Sequence, residues 1–261
     1  MSLRIACCTH RGSPYRQQDA LLVDARVRQC DDWQGDWAVD GDGILIAVAD
    51  GLASSVDSGF ISRALLVQLA VVLADDPAWR GEGVLCNRHL RDAQMRLCAE
   101  AAGSPRMRRG AATTIVAAHV HRGRLVVLNC GDSRAYLRRA DGEVRQLSRD
   151  HTELQRLIEL GEAEAGVEYA RFYDMLTDYI CADPEEADFA IHRIETAWSA
   201  ADCLVLCSDG VHDTLGEARW SALIGAARDP VELVATARAA VLEAGAPDNF
   251  TLAALAAAGI G

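Results

Sequence analysis

The chain has 261 residues, 50% of them hydrophobic, 25% charged and 5% aromatic, a composition that excludes disordered, collagen-like and fibrous classes. Acidic residues outnumber basic ones by 38 to 26, every cation is Arg, and the net charge of −12 disfavours an extended binder of phosphate backbones. Nucleic acid is therefore not an expected partner.

Short β-type runs come first, at Arg4–Cys8 and Ile44–Ala49. A helix follows from Ser58 to Ala74, with Phe60, Ile61, Ala64, Leu65 and Leu69 on one face, and a second from Val84 to Ala101. Thr113–Val120 and Leu125–Cys130 flank a tight His121-Arg122-Gly123-Arg124 turn, and Ala135–Arg138 returns through Asp141-Gly142 to Val144; both read as antiparallel hairpins. The polar stretch 162–188 reads as a flap-like segment. Strands follow at Ala190–Ile194 and Cys203–Cys207, a second helix pair at Glu217–Ala226 and Val231–Ala244, and a last strand at Thr251–Ala254. With no repeat and no linker composition, this order predicts one α+β domain over 1–261, with antiparallel sheets at the centre and helices outside.

The nine cysteines are odd in number, form no CxxC pair and mostly sit in apolar runs, as in Cys203-Leu-Val-Leu-Cys207, so they read as buried thiols in a reducing compartment. The N-terminal residues lack a signal-peptide pattern, and no apolar run reaches the ~18 residues of a membrane span. A cytoplasmic protein without a membrane partner is the expectation.

The aspartates carry the chemistry. Asp50 ends an apolar run before Gly51, Asp209 ends another before Gly210, Asp132 follows Leu125–Gly131, and Asp248 precedes the strand at Thr251. Any one of these is an ordinary turn residue. Together they place acidic groups at several strand ends, and neighbouring strands bring their ends together. Two carboxylates ~4 Å apart repel by about 4 kcal/mol at an effective dielectric of 20, so such a cluster requires cations. Carboxylate and carbonyl oxygens suit Mg2+ or Mn2+, and a pair of those ions activates water against a phosphate ester. The pattern points to a dinuclear metal hydrolase.

At these residues the chain resembles a known family. Asp50-Gly51 is similar to its DG metal motif. Gly110-Ala-Ala-Thr-Thr-Ile-Val and Asn129-Cys-Gly-Asp-Ser-Arg-Ala-Tyr-Leu resemble its G-[ST]-T and GDSR segments. Leu147-Ser-Arg-Asp-His-Thr, Met175-Leu-Thr-Asp-Tyr-Ile-Cys, Leu206-Cys-Ser-Asp-Gly-Val-His-Asp and Pro247-Asp-Asn-Phe-Thr continue the order. The family is that of the bacterial metal-dependent serine/threonine protein phosphatases called PPM or type 2C. The resemblance implies a central antiparallel β-sandwich flanked by helix pairs, in four layers α-β-β-α. It implies hydrolysis of phosphoserine and phosphothreonine in proteins by metal-activated water, opposing a Ser/Thr kinase. It also implies ligand roles: Asp50 between two ions, the Gly51 carbonyl on one of them, Asp209 and Asp248 on the other, and Asp132 and Asp213 with Asp209 at a third, weaker ion.

Where the family often has R-x-x-x-E-D, this chain has Pro14-Tyr15-Arg16-Gln17-Gln18-Asp19. Gln18 retains hydrogen-bonding capacity without charge, and Asp19 stays to orient water near the ions. Phosphate binding passes to Arg16 or Arg11, with Arg16 favoured. Ala53-Ser54 replace the glycine pair after DG. The altered motif also leaves open a catalytically weak regulatory or binding module. Asp40-Gly-Asp42-Gly reads as a hairpin turn, His151 as structural, His212 as a packing position, and Ser133 as no nucleophile.

Overall fold

Cys7 and Cys8 are adjacent in sequence and buried in different layers of the protein. Both lie on β1 (Ser2–His10), where alternate side chains leave a strand on opposite faces. The computed structural model describes residues 2–52, 57–79, 83–103, 110–164, 166–167, 169–183, 185 and 188–258. The Ala53-Ser54 replacement lies outside the described residues, as do 165, 168, 184, 186 and 187 of the stretch 162–188.

In chain order, β1 is followed by β2 (Asp19–Val23), β3 (Arg26–Arg28), β4 (Asp32–Asp40) and β5 (Gly43–Asp50), then α1 (Ser58–Asp75) and α2 (Asn87–Ala101). Next come β6 (Ala112–Thr113), β7 (Ile115–His121), β8 (Arg124–Cys130), β9 (Arg134–Arg138), β10 (Val144–Gln146), α3 (Glu153–Leu160), β11 (Ile180–Cys181) and β12 (His192–Ala197). The chain closes with β13 (Cys203–Cys207), α4 (Asp209–Leu215), α5 (Glu217–Ala226), α6 (Pro230–Glu243) and β14 (Phe250–Ala257). One 6-stranded antiparallel sheet runs β10-β9-β13-β14-β1-β4 and the other β12-β8-β7-β5-β2-β3. β6 and β11 form a small pair of their own.

The sheets face each other through Ile5, Cys7, Ile46, Val48, Leu204 and Leu206. Behind the second sheet, Leu22 and Ala47 pack on Ile61, Leu65 and Leu69 of α1 and Leu97 of α2. Behind the first, Cys8 and Val205 pack on Trp220 of α5 and on Leu233 and Val241 of α6. This is the expected α-β-β-α order. α1 has 18 residues and is apolar enough by length and composition to cross a membrane; here it lays that surface against the second sheet and α2. All nine cysteines are free, and burial pushes the Cys8 thiol up to about 12.

Both expected hairpins form, β7 with β8 and β9 with β10. The Asp40-Gly41-Asp42-Gly43 turn is a correction: β4 belongs to the first sheet and β5 to the second, so it carries the chain between layers and makes no hairpin. Phe60 is a second correction, since it stands 46% exposed beside the buried Ile61. The stretch 162–188 also holds β11, and Met175 and Thr177 bond its middle to Glu153 and His151.

Candidate metal centre

Asp19 opens β2 and Asp50 ends β5, and the antiparallel register sets them directly opposite each other at one rim of the sandwich. β13 delivers a third carboxylate to this rim. Its chain runs into Ser208 and then Asp209, the first residue of α4. Asp248 enters from the turn before β14, and Asp132 from the turn after β8.

Two glycines let the backbones close. A Cβ on Gly51 would stand 2.6 Å from the Ser58 backbone, and one on Gly210 would stand 1.9 Å from the Asn249 carbonyl oxygen. Each Asp-Gly pair therefore needs glycine for close approach. Gly51 N–H also donates to the Gln18 carbonyl at 3.1 Å, binding the two strand ends together.

Asp19 is fully buried. Ser208 Oγ donates to its Oδ2 at 2.7 Å, whereas its Oδ1 has no hydrogen-bond partner. Asp209 Oδ1 is likewise buried and unpartnered. Burial pushes the Asp19 carboxyl up to about 7; the Ser208 hydrogen bond opposes the rise and the Asp209 charge adds to it. Burial raises Asp50 well above the usual carboxylate range, with Asp19, Asp209 and Asp132 contributing repulsion. Asp132 is raised by burial and then by Asp209, Asp150 and Asp213. Asp248 is raised by burial and by Asp209. Asp50, Asp132 and Asp248 thus each stand in the field of Asp209, and Asp132 and Asp248 also in that of Asp213.

Among the described residues no arginine forms an ion pair with Asp19, Asp50, Asp132, Asp209 or Asp248, although the chain has 26 cations elsewhere. A carboxylate as buried as Asp19, or half-buried beside others as Asp50, Asp132 and Asp209 are, is costly without a cationic partner. Among the described residues no three or more His, Cys, Asp or Glu side chains stand close enough together to hold a metal ion as they are placed. The orphaned oxygens of Asp19 and Asp209 and the all-oxygen donor set fit hard divalent cations.

The first-motif loop is fastened by a residue that sequence reasoning passed over. Asn249 Oδ1 accepts from Gln18 N–H at 2.7 Å, and its Nδ2 donates to the carbonyls of Arg11 at 2.5 Å and Arg16 at 3.0 Å. The Pro247-Asp248-Asn249 motif was the available signal, but only the carboxylate was given a role. Asn249→Ala is expected to lower unfolding free energy by about 2–4 kcal/mol, because three hydrogen bonds of a buried side chain are lost together. Urea unfolding with metal chelated measures it, and a loss below ~0.5 kcal/mol rejects the role.

Arg16 is exposed and Arg11 half-buried, with Arg11 Nη1 3.8 Å from Asp31 Oδ2. His151 is structural as expected: its Nδ1 accepts from Gly131 N–H at 3.1 Å, and burial lowers its pKa. Gly131 needs the help, because its φ of +98° suits glycine and a Cβ there would stand 2.6 Å from Thr114. His212 does more than pack. Its Nε2 lies 3.2 Å from the Asp132 carbonyl, and its Nδ1 lies 2.9 Å from Asp213 Oδ1, though not aligned as a hydrogen bond. Ser133 Oγ shares a 2.7 Å hydrogen bond with Thr114 Oγ1, which suits no nucleophile. The pair Arg134–Asp150, at 2.6 Å and largely buried, was also missed.

A double antiparallel sandwich between helix pairs, with a carboxylate-lined rim, defines a scaffold for hard divalent cations. Residues 25–246 match the protein phosphatase 2C family, and the chain belongs to it. It is 28% identical over 218 residues to the serine/threonine protein phosphatase PstP of Mycobacterium tuberculosis, covering 80% of this chain and 39% of that protein. It is 30% identical over 145 residues to the serine/threonine phosphatase stp of Listeria innocua, covering 55% of this chain and 56% of that one. These matches span less than two thirds of either relative. The crystal structure of M. tuberculosis PstP/Ppp superposes with a TM-score of 0.79 at 24% identity over 99% of this chain and 100% of that one. The PstP catalytic domain in complex with two manganese ions gives 0.74 at 24%, over 98% of each chain. At these identities the structural likeness concerns the fold.

Proposed function

We propose that this chain is a metal-dependent phosphoprotein phosphatase, hydrolysing phosphoserine and phosphothreonine and opposing a Ser/Thr kinase in a reducing cytoplasm. The observation that carries this reading is the arginine-free rim of carboxylates, with Asp19 buried and Asp50, Asp132 and Asp209 half-buried, and its two orphaned oxygens, in a protein phosphatase 2C fold. Mn2+ or Mg2+ would be held by Asp50 between two ions, the Gly51 carbonyl on one, and Asp209 and Asp248 on the other. Asp132 and Asp213 would join Asp209 at a third, weaker site. When bound, the ions supply Lewis-acid activation of water and neutralise phosphate charge.

The chain's own groups orient the reaction. Ser208 locks Asp19 Oδ2, so Oδ1 is left to accept a hydrogen bond from water at the rim. Gln18, whose backbone is tied to Gly51 and Asn249, stands next to it. A regulatory module without catalysis is disfavoured by the retained set Asp50, Asp209 and Asp248. Hydrolysis of a phosphothreonine peptide in Mn2+, and its loss in EDTA, tests the reading; equal rates in both reject it.

The substrate phosphate needs a guanidinium fork, which Pro14 does not supply. Arg16 adjoins Gln17-Gln18-Asp19 and is the more exposed of the two arginines, so it is favoured. Arg16→Ala is expected to lower kcat/KM by about ten- to a hundredfold, the cost of a lost charge-assisted contact, with Mn2+ affinity unchanged. Arg11→Ala should do less. Wild-type kcat/KM in both variants rejects the assignment.

A further inference from the structure

β4 is the outer edge of the first sheet. It pairs with β1 on one side, and no other backbone hydrogen bond among the described residues joins its second side. Nine residues make this edge roughly 30 Å long. Unpaired edges of that length are templates for another strand unless something forbids it.

The two faces of β4 differ in chemistry. Asp32, Asp36 and Asp40 lie on its exposed face, and Trp33, Trp37 and Val39 are half-buried on the other. The second face borders a cleft of about 440 Å³ between the two sheets, lined also by Leu21, Val23 and Arg28, with the Arg28 guanidinium 3.9 Å over the Trp33 ring.

Charge selects the occupant. A second copy pairing antiparallel about Asp36 would set Asp36 against Asp36 and Asp32 against Asp40, and like charges directly opposite destabilise a strand pair. A strand carrying Arg or Lys on the exposed face and apolar residues on the cleft face is complementary on both. Arg238 already pairs with Asp32 at 2.8 Å and Arg4 with Asp36 at 2.7 Å, but exposed pairs are weak and exchangeable. The net charge of −12 adds attraction for a basic segment.

The edge also leads to the metal centre. Asp32 lies opposite His10, Arg11 N–H donates to the Asp31 carbonyl at 2.7 Å, and Gln17 Nε2 donates to the Cys30 carbonyl at 3.1 Å. The start of β4 is therefore fastened to the first-motif loop.

We infer that the β4 edge docks the phosphoprotein substrate by strand addition, accepting an extended segment in which basic and apolar residues alternate. This rests on the phosphatase reading for the word substrate, and its test does not depend on hydrolysis. Calorimetry would compare three unphosphorylated peptides on the intact chain: Arg alternating with Val, the same composition with the Arg residues grouped at one end, and the alternating peptide N-methylated at every second amide. The last two are expected to bind about tenfold more weakly, from a few cross-strand pairs of some tenths of a kcal/mol each. The double variant Asp36→Arg, Asp40→Arg should lose the alternating peptide by at least that factor while hydrolysing p-nitrophenyl phosphate at the wild-type rate. Equal binding of all three peptides, or undiminished binding by the double variant, overturns the proposal. If the chain hydrolyses no phosphate but binds with this pattern, the docking edge stands and the phosphatase reading falls.

Discussion

Asp209→Asn is expected to abolish Mn2+-dependent turnover and, with metal chelated, to melt at or above the wild-type temperature. The two halves of this result come from one feature. The Asp209 charge raises the carboxyls of Asp19, Asp50, Asp132 and Asp248 together, so it is the centre of the repulsion at the rim. Removing a hard anionic ligand costs several kcal/mol of charge stabilisation, or a loss of about a thousandfold or more in rate. Removing the charge without metal relieves several carboxylate contacts, each worth up to about 4 kcal/mol at close range. Against this stand the favourable position of an acid in the first turn of α4, worth about 0.3–1 kcal/mol, and the Asp209 hydrogen bond to Asp50, which Asn retains an oxygen to accept. A net gain of about 1–2 kcal/mol would raise Tm by roughly 2–8 °C.

The pH dependence has a definite sign. Asp19 is raised from 3.8 to about 7 in the folded chain, so the folded state holds more protons than the unfolded one across that interval. Stability of the metal-free protein should therefore be highest below the lower value and fall as pH rises through the higher one. Asp209→Asn should flatten that fall, and saturating Mn2+ should abolish it in the wild type but not in the variant. Unfolding by urea at several pH values, with and without EDTA, checks all of it. A variant that keeps near wild-type turnover, or that melts well below wild type in EDTA, rejects the assignment of Asp209.

Most of the parts of the fold legible in sequence were those buried on both faces or on one helical stripe, although the fully buried β2 was passed over because its apolar run is only four residues long. β13 and α5 have the bounds their apolar patterns predict, Cys203–Cys207 and Glu217–Ala226. β4 was not read as a strand because Asp32, Gly35, Asp36 and Asp40 interrupt its Trp and Val. Its alternation is real, but an edge strand buries so little that the pattern is faint. The turn after it looked like a hairpin because nothing local tells a return within one sheet from a step to the next. At the site, Asp50, Asp132 and Asp209 were legible because each closes an apolar run, and Asp248 because it stands just before one. Asn249 and the Arg134–Asp150 pair were not, because their roles lie in contacts across 231 and 16 residues of sequence.

That pair supplies the largest expected loss of stability. Arg134 gives Asp150 a forked contact, with Nε at 2.9 Å and Nη2 at 2.6 Å from Oδ2, and both side chains are largely buried. Among the described residues, Gln146 Nε2 at 2.9 Å is the only other side-chain donor to this carboxylate. Asp150 also adds to the repulsion that raises Asp132, so Arg134 holds in check one more charge beside the metal centre. Arg134→Ala should cost about 3–5 kcal/mol, the penalty for stranding a buried charge. Arg134→Lys should recover little, since an ammonium cannot reproduce the fork. Replacing both partners, Arg134→Met with Asp150→Leu, should regain most of the loss, because the cost lies in the unpaired charge and not in the absence of a bond. Excess Mn2+ should narrow the deficit of Arg134→Ala by neutralising the neighbouring carboxylates, and should leave the double variant's small deficit unchanged. Urea unfolding of the four chains in EDTA and in Mn2+ decides the matter. A double variant no more stable than Arg134→Ala would show that the guanidinium acts through packing and its contacts with Tyr136 and Glu217, and not through Asp150.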